Sequence, residues 1–274
     1  MKPDIKAEKN SKTPPTNQQP AHRRPGRPRG THGGISLNAI LRASYRLAKT
    51  VPLQELSIVF VAKTLGVTPA LIHYYVGGRD WLTSGTMNLF YSDLLKKLPD
   101  NTGDWESDIP RMAHTIYEHL VQYAGVAAYM VSHNRFRIWQ LTAYGQREFG
   151  VEVLEKLAAC VAQAECAPRR TGIYTHLIME FVIGSAHRAA HHLFPSDHQE
   201  FLREKLSKLN PEKFPTLMLT DTAPISLGPE SAFNEEMRLF MLGLAQEPKG
   251  KDVDSESGRK AVGARKSPSG RKTR

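Results

Sequence analysis

The residues from Leu56 to Leu82, LSIVFVAKTLGVTPALIHYYVGGRDWL, carry hydroxyls, aromatic rings and a guanidinium at a spacing suited to gripping nucleic acid. Ser57, Thr68, His73, Tyr74, Tyr75 and Arg79 can donate hydrogen bonds to phosphate oxygens. Pro69, Ala70 and Leu71 offer small or apolar surfaces to base edges, with Leu71 suited to a thymine methyl. Such contacts need two short helices held at a sharp angle, and the same residues supply them. Ser57 is a helix cap, and Ile58, Val61, Ala62 and Leu65 after it recur on one face. Gly66 tolerates the left-handed backbone of a tight turn, and Val67 anchors that turn. Thr68 caps a second helix and Pro69 occupies its first position, where a missing N–H costs nothing. Ile72 and Val76, four apart, face the first helix and leave the other residues pointing outward.

The order of these parts resembles the N-terminal domain of the TetR family of transcription regulators. ISLNAILRASYRLAKT, with Ser36 as a cap and Leu37, Ile40, Leu41, Leu47 and Ala48 on one face, is similar to the family's first helix. LGVTP, LIHYYV and GGRDWL resemble its turn, recognition helix and the start of helix four. Two departures stand out. His73 occupies a position usually held by Tyr, and Tyr75 one usually held by His. Val51, followed by Pro52, replaces the glycine usual before helix two.

The net charge of +10 lies at the chain's ends. Residues 1–34 hold eight basic against two acidic residues, and residues 249–274 hold nine against three. Between them, 35–98 has seven against three, whereas 99–248 has 13 against 19. A basic head and tails on an acidic body fit phosphate neutralisation at one end, although basic tails also simply aid solubility. Within the first tail, HRRPGRPRG resembles an AT-hook, an extended Arg/Pro segment that lies in a narrow minor groove. Arg27 and Arg29 are the residues such a hook would insert. Residues 1–34 and 248–274 have no apolar periodicity and are expected to be disordered.

The central stretch is long enough for a small DNA-binding domain over 35–82 and a larger domain over 83–247, joined by a helix at 83–98. Helical periodicity at 105–123, 125–132, 136–164, 168–193, 200–209 and 231–246, with no strand-like alternation, predicts an all-α fold whose second domain is a bundle. WESDIPRMAHTIYEHLVQYAGV, PEKFPTL and FNEEMRLFMLGL resemble, more loosely, the ligand-binding domain of tetracycline-repressor-like members. That resemblance implies a homodimer built on the helices Pro168–Leu193 and Ser231–Ala245, with Gly184, Ser185, Ala186 and Ala189 permitting close approach. A helix buried within one chain is the competing reading. A two-fold pair also suits a palindromic operator, since one recognition helix reads few bases.

Nothing in the sequence gives an enzyme a starting point: GxSxG, P-loop and dinucleotide-binding glycine patterns are absent. His187 and His191 are spaced for a metal, but no HExxH or nearby Cys or carboxylate accompanies them, so no metal and no cofactor is expected. Cys160 and Cys166 match no zinc spacing and read as reduced thiols. Trp105, Tyr117, Trp139, Tyr144, Tyr174 and Phe181 are candidates to line a cavity for a flat or greasy effector, with ordinary core packing as the alternative. The histidine that tetracycline-binding members use falls near Leu95, so tetracycline itself is not implied. No apolar leader or spanning segment is visible, so a cytoplasmic, nucleoid-associated protein without a membrane partner is expected.

The sequence thus predicts a ligand-responsive dimeric regulator of double-stranded DNA, most simply a repressor released by a small-molecule effector. Two other classes stay open: an architectural A·T-binding protein working through its tails, and a helical small-molecule-binding protein without regulatory DNA binding.

Overall fold

The computed structural model describes residues 35–132, 140–142, 146–220 and 223–250. Local capping chemistry builds its N-terminal third. Helix α1 (Leu37–Leu47) is capped by Ser36, whose Oγ accepts from the Ala39 N–H. Helix α2 (Ile58–Leu65) is capped by Ser57 in the same way, through the Phe60 N–H at 3.1 Å. Gly66, at φ +66°, ends α2 in the left-handed conformation that a Cβ would strain. Thr68 then caps α3 (Pro69–Val76). The chain turns by 114° between α2 and α3, as a helix-turn-helix requires. Gly77, at φ +84°, leads into α4 (Arg79–Lys97).

The body follows as α5 (Trp105–Gln122), α6 (Ala124–Ser132), α7 (Phe149–Ala162) and the long α8 (Pro168–Ala190). After a 3-10 turn at Pro195–His198 come α9 (Gln199–Ser207), α10 (Pro215–Leu219), α11 (Ala223–Ser226) and α12 (Pro229–Ala245). Helices α5 and α8 form the middle of the bundle, α7 leans on both, and α12 lies along α8. Their shared core includes Ile109, Met112, Ile116, Leu157, Ile178 and Val182, all at most 1% exposed. Among the described residues the fold is all-α, as expected, and no single helix is long and apolar enough to cross a membrane. Cys160 and Cys166 are free and buried.

Three details differ from the sequence reading. The periodicity predicts a continuous helix over 136–164, yet 140–142 and 146–148 are not helical and α7 starts at Phe149. Side chains of α4 take over the backbone hydrogen bonds there. Asn88 donates to the Arg147 carbonyl and accepts from the Phe149 N–H, both at 3.0 Å, and Ser84 accepts from the Leu141 N–H. Leu37, assigned to the buried face of α1, is exposed in the first turn, while Ile40, Ala43 and Ser44 face the core. The short helices at 215–219 and 223–226 belong to a connection that buries little beyond Phe194 and Ile225.

Two fixings orient the molecule. Arg170 forks onto Glu247, Tyr174 donates to the same carboxylate at 2.8 Å, and Lys249 reaches Glu165, so the end of α12 is strapped to the α7–α8 turn. Since α7 runs from Phe149 beside Asn88 to Lys156 facing Asp100, this strap lies at the end of the bundle away from α3. At the other end, α6 meets α1 backbone to backbone. The Gly125 N–H donates to the Ala48 carbonyl at 3.1 Å, and a Cβ on Gly125 would stand 2.0 Å from the Val51 carbonyl oxygen. That neighbour is main chain and cannot swing aside. Gly125→Ala should therefore destabilise the protein by about 2 kcal/mol or more, read as a lower urea midpoint; an unchanged midpoint would mean the contact is looser than described.

Candidate nucleic-acid interface

The outward face of α3 is held open by the two residues that face inward. Ile72 and Val76 are buried against α2 and α1, which turns Pro69, Ala70, His73, Tyr74 and Tyr75 to solvent. Tyr74 is 79% exposed, which burial alone would disfavour for so large a ring. The Tyr74 and Tyr75 rings meet edge to face at 5.4 Å, so each limits the other's rotamers. Leu71 is half-buried, less prominent than its neighbours. Ser57 and Thr68 both spend their oxygen lone pairs on cap hydrogen bonds, which leaves each hydroxyl proton for another acceptor.

Arg79 extends this surface from the first turn of α4. It donates to the Gln54 carbonyl, which ties α4 to the segment before α2 while most of its donors stay available. Gly78 caps α4 without a side chain, so the first N–H groups of that helix have no side-chain partner. Trp81, missed by the sequence reading, is 39% exposed beside Gly77. The cue was its place one turn past the glycine pair. Arg27 and Arg29 lie outside the described residues.

Behind this surface, a polar chain joins α1 to α5 through α4. Tyr45 donates to Asp93 at 2.9 Å, Lys97 lies 3.5 Å from Asp93, and Lys97 Nζ reaches His119 Nδ1 at 3.1 Å. Because the ammonium can only donate, Nδ1 must accept, and Nε2–H is left to donate to the Phe90 carbonyl at 3.3 Å. Burial, then the Lys97 charge, push the His119 pKa down to about 4. Burial would raise the Asp93 carboxyl, but the Tyr45 hydrogen bond and the Lys97 charge together hold it below its usual value. Stacking reinforces the chain: Tyr45 lies on Tyr123 and His119 on Phe90, each at 4.6 Å.

The residues assigned to an effector cavity do not share one place. Tyr117 and Phe181 meet through Phe233, at 4.5 and 5.1 Å, in an aromatic cluster that His114 and Phe240 join. Above it runs an open groove of about 560 Å³ between α5 and α12, lined by Pro110, Arg111, His114, Met237 and Met241. Tyr174 is instead committed to Glu247, and Trp105 packs at the start of α5. Trp139 and Tyr144 lie outside the described residues.

Comparison with solved structures places this arrangement. Apo ActR from Streptomyces coelicolor superposes with a TM-score of 0.64 at 16% identity, over 77% of this chain and 95% of that one. The S. coelicolor regulator SCO7222, a TetR, gives 0.59 at 16% identity, over 77% and 98%. A single-residue TetR variant from Acinetobacter baumannii AYE, in complex with minocycline, gives 0.55 at 16%, over 81% and 99%. The fold is that of the TetR-family transcription regulators. No family model matches the sequence, and no curated protein matches it. At such low identity the TetR-family likeness is carried by architecture, while the residues on α3 are this chain's own.

The polar chain makes stability depend on pH. His119 titrates near 6.5 when unfolded and about 4 when folded, so unfolding takes up a proton in that window and stability falls as pH drops through it. The loss should reach about 3 kcal/mol. Urea melts between pH 7.5 and 4 on the native chain and on His119→Gln, which keeps a donor and an acceptor, test this. The variant should lose less; parallel curves would assign the acid sensitivity to other groups.

Proposed function

We propose that this chain is a DNA-binding transcription regulator that responds to a small molecule, with residues 35–82 as its reading head and 83–247 as its sensing and pairing body. The observation that carries the reading is α3 itself, an apolar-backed helix whose aromatic and hydrogen-bonding side chains face solvent. Docked in a major groove, Pro69, Ala70 and Leu71 meet base edges, while Ser57, Thr68, His73, Tyr74, Tyr75 and Arg79 hold phosphates. The uncapped N-terminus of α4 adds a favourable dipole for an anion.

One such helix reads too little sequence alone, and the outer faces of α8 and α12 supply a pairing surface. Leu177, Leu239 and Leu242 are each at least 43% exposed there. Gly172 and Gly184 have nothing within 4 Å of an added Cβ. Ser185 and Ala186 are not part of that surface, because both are buried inside the chain's own core and Ser185 donates to Glu236. The pairing rests on the leucines and glycines instead. A two-fold dimer of this kind reads a palindrome.

The body is read as the receiver of an effector. ActR has been seen in complex with actinorhodin and with (S)-DNPA, and the A. baumannii TetR variant with minocycline. In this chain the aromatic cluster of Tyr117, Phe181 and Phe233 is the proposed receptor. Helix α5 carries Tyr117 in the aromatic cluster, His119 against α4 and, just past its end, Tyr123 against α1, so a ligand that shifts α5 strains the seat of the reading head. Repression, relieved when the two heads no longer match both half-sites, is the simplest outcome.

Selection of bound duplexes from a random pool by the full-length chain should enrich a two-fold symmetric sequence, and a pool without symmetry would overturn the dimeric reading. Arg79→Ala should weaken binding to every duplex and reduce the slope of log affinity against log salt by about 0.9. Leu239→Arg should halve the mass measured by light scattering. Removing residues 1–34 should leave the selected sequence intact, whereas the architectural reading requires binding to vanish.

A further inference from the structure

The last turn of α8 carries a pair of imidazoles that the reading above does not use. His187 and His191 lie one turn apart with ring centroids 4.3 Å from each other. His191 Nδ1 lies 2.9 Å from the His187 carbonyl oxygen, and only a protonated Nδ1 can donate to it. That bond fixes the tautomer and leaves the Nε2 lone pair as the ring's free coordinating atom. The same second contact, an N–H held by a carbonyl, orients metal-bound imidazoles generally. Beside it, His187 Nδ1 is enclosed and has no hydrogen-bond partner. A nitrogen shut away from water without a partner is costly, and a bound cation is one way to satisfy its lone pair.

The surroundings favour a cation there. Arg188, between the two in sequence, is drawn towards α12, where Ser185 and Glu236 hold its guanidinium at 2.9 Å. His192 turns away at φ +54° and stands 3.7 Å from Asp197. Among the described residues no group of three or more His, Cys, Asp or Glu is placed to hold a metal ion, so one chain offers two ligands at most.

We propose that His187 and His191 chelate a late divalent transition metal of the zinc, nickel or copper type, for which paired imidazoles are natural ligands. The ion pins the C-terminal turn of α8, where the chain departs into the segment that leads to α9. This proposal does not depend on DNA binding.

Titration of the full-length, untagged chain with NiCl2 by calorimetry at pH 7.5 tests it. One saturable site is expected, weakened at least tenfold in His187→Gln and in His191→Gln and unchanged in His114→Gln. His191 sits at the helix end with one local hydrogen bond, so His191→Gln decides the matter should His187→Gln fold poorly. With CuCl2, the electron paramagnetic resonance spectrum should carry nitrogen hyperfine structure that the His191→Gln spectrum lacks. No saturable binding, or binding by both variants as tight as that of the native chain, overturns the proposal.

Discussion

The fit of α6 against α1 is the constraint on which the rest of the molecule depends. A hydrogen bond from Gly125 to Ala48, and main chain filling the space where a Cβ would stand, leave no side chain to act as a cushion. Interfaces made of backbone are stiff, because they have no rotamers with which to absorb a shift. The orientation of α3 is therefore set by the body as much as by α2. Gln54 shows the same dependence on a smaller scale: its side chain reaches Ser132 at the end of α6, while its carbonyl accepts from Arg79 at the start of α4.

Electrostatics complement that stiff seat with a directional one. The chain from Tyr45 through Asp93 and Lys97 to His119 contains one anion, one cation and two neutral groups, with the charged pair at the solvent-facing edge and the buried His119 neutral. Its polarity is fixed at both ends: the tyrosine hydroxyl must donate to the carboxylate, and His119 must donate to the Phe90 carbonyl. A network with one consistent set of donors tolerates little rearrangement. The same contact that disfavours a proton on His119 also holds α5 against α4, and the stacking of Tyr45 on Tyr123 carries that hold to α1.

How much of this was readable beforehand follows from the range of each interaction. Ser57, Gly66, Thr68 and Pro69 announced α2, the turn and α3 because caps and turns are decided within four residues. Ile72 and Val76 announced the inner face of α3 because helical spacing fixes it. The start of α7 was not readable, since Asn88 and Ser84, some sixty residues earlier, decide where the helix begins. Nor was the direction of Ser185 and Ala186: smallness suggested an open face, and the spacing alone did not distinguish the two sides of α8. The cavity assignment scattered for a similar reason. Tyr117 and Phe181 meet only because α12 brings Phe233 between them, and Tyr174 was claimed by Glu247 from beyond the end of that helix.

These ranges bear on how a ligand signal would travel in the proposed regulator. Helix α5 touches the aromatic cluster through Tyr117 and the polar chain through His119, two residues on. A shift of α5 large enough to admit a ligand beside Tyr117 must therefore move His119 relative to Lys97 or carry α4 with it. Hydrogen bonds weaken steeply once they lengthen or bend, so the first course costs stability. The second moves Arg79 and α3, because α4 is continuous from the chain's turn at Gly78 to Lys97. Coupling between body and reading head then needs no long pathway of side chains, only a helix too well bonded at one end to move without the other.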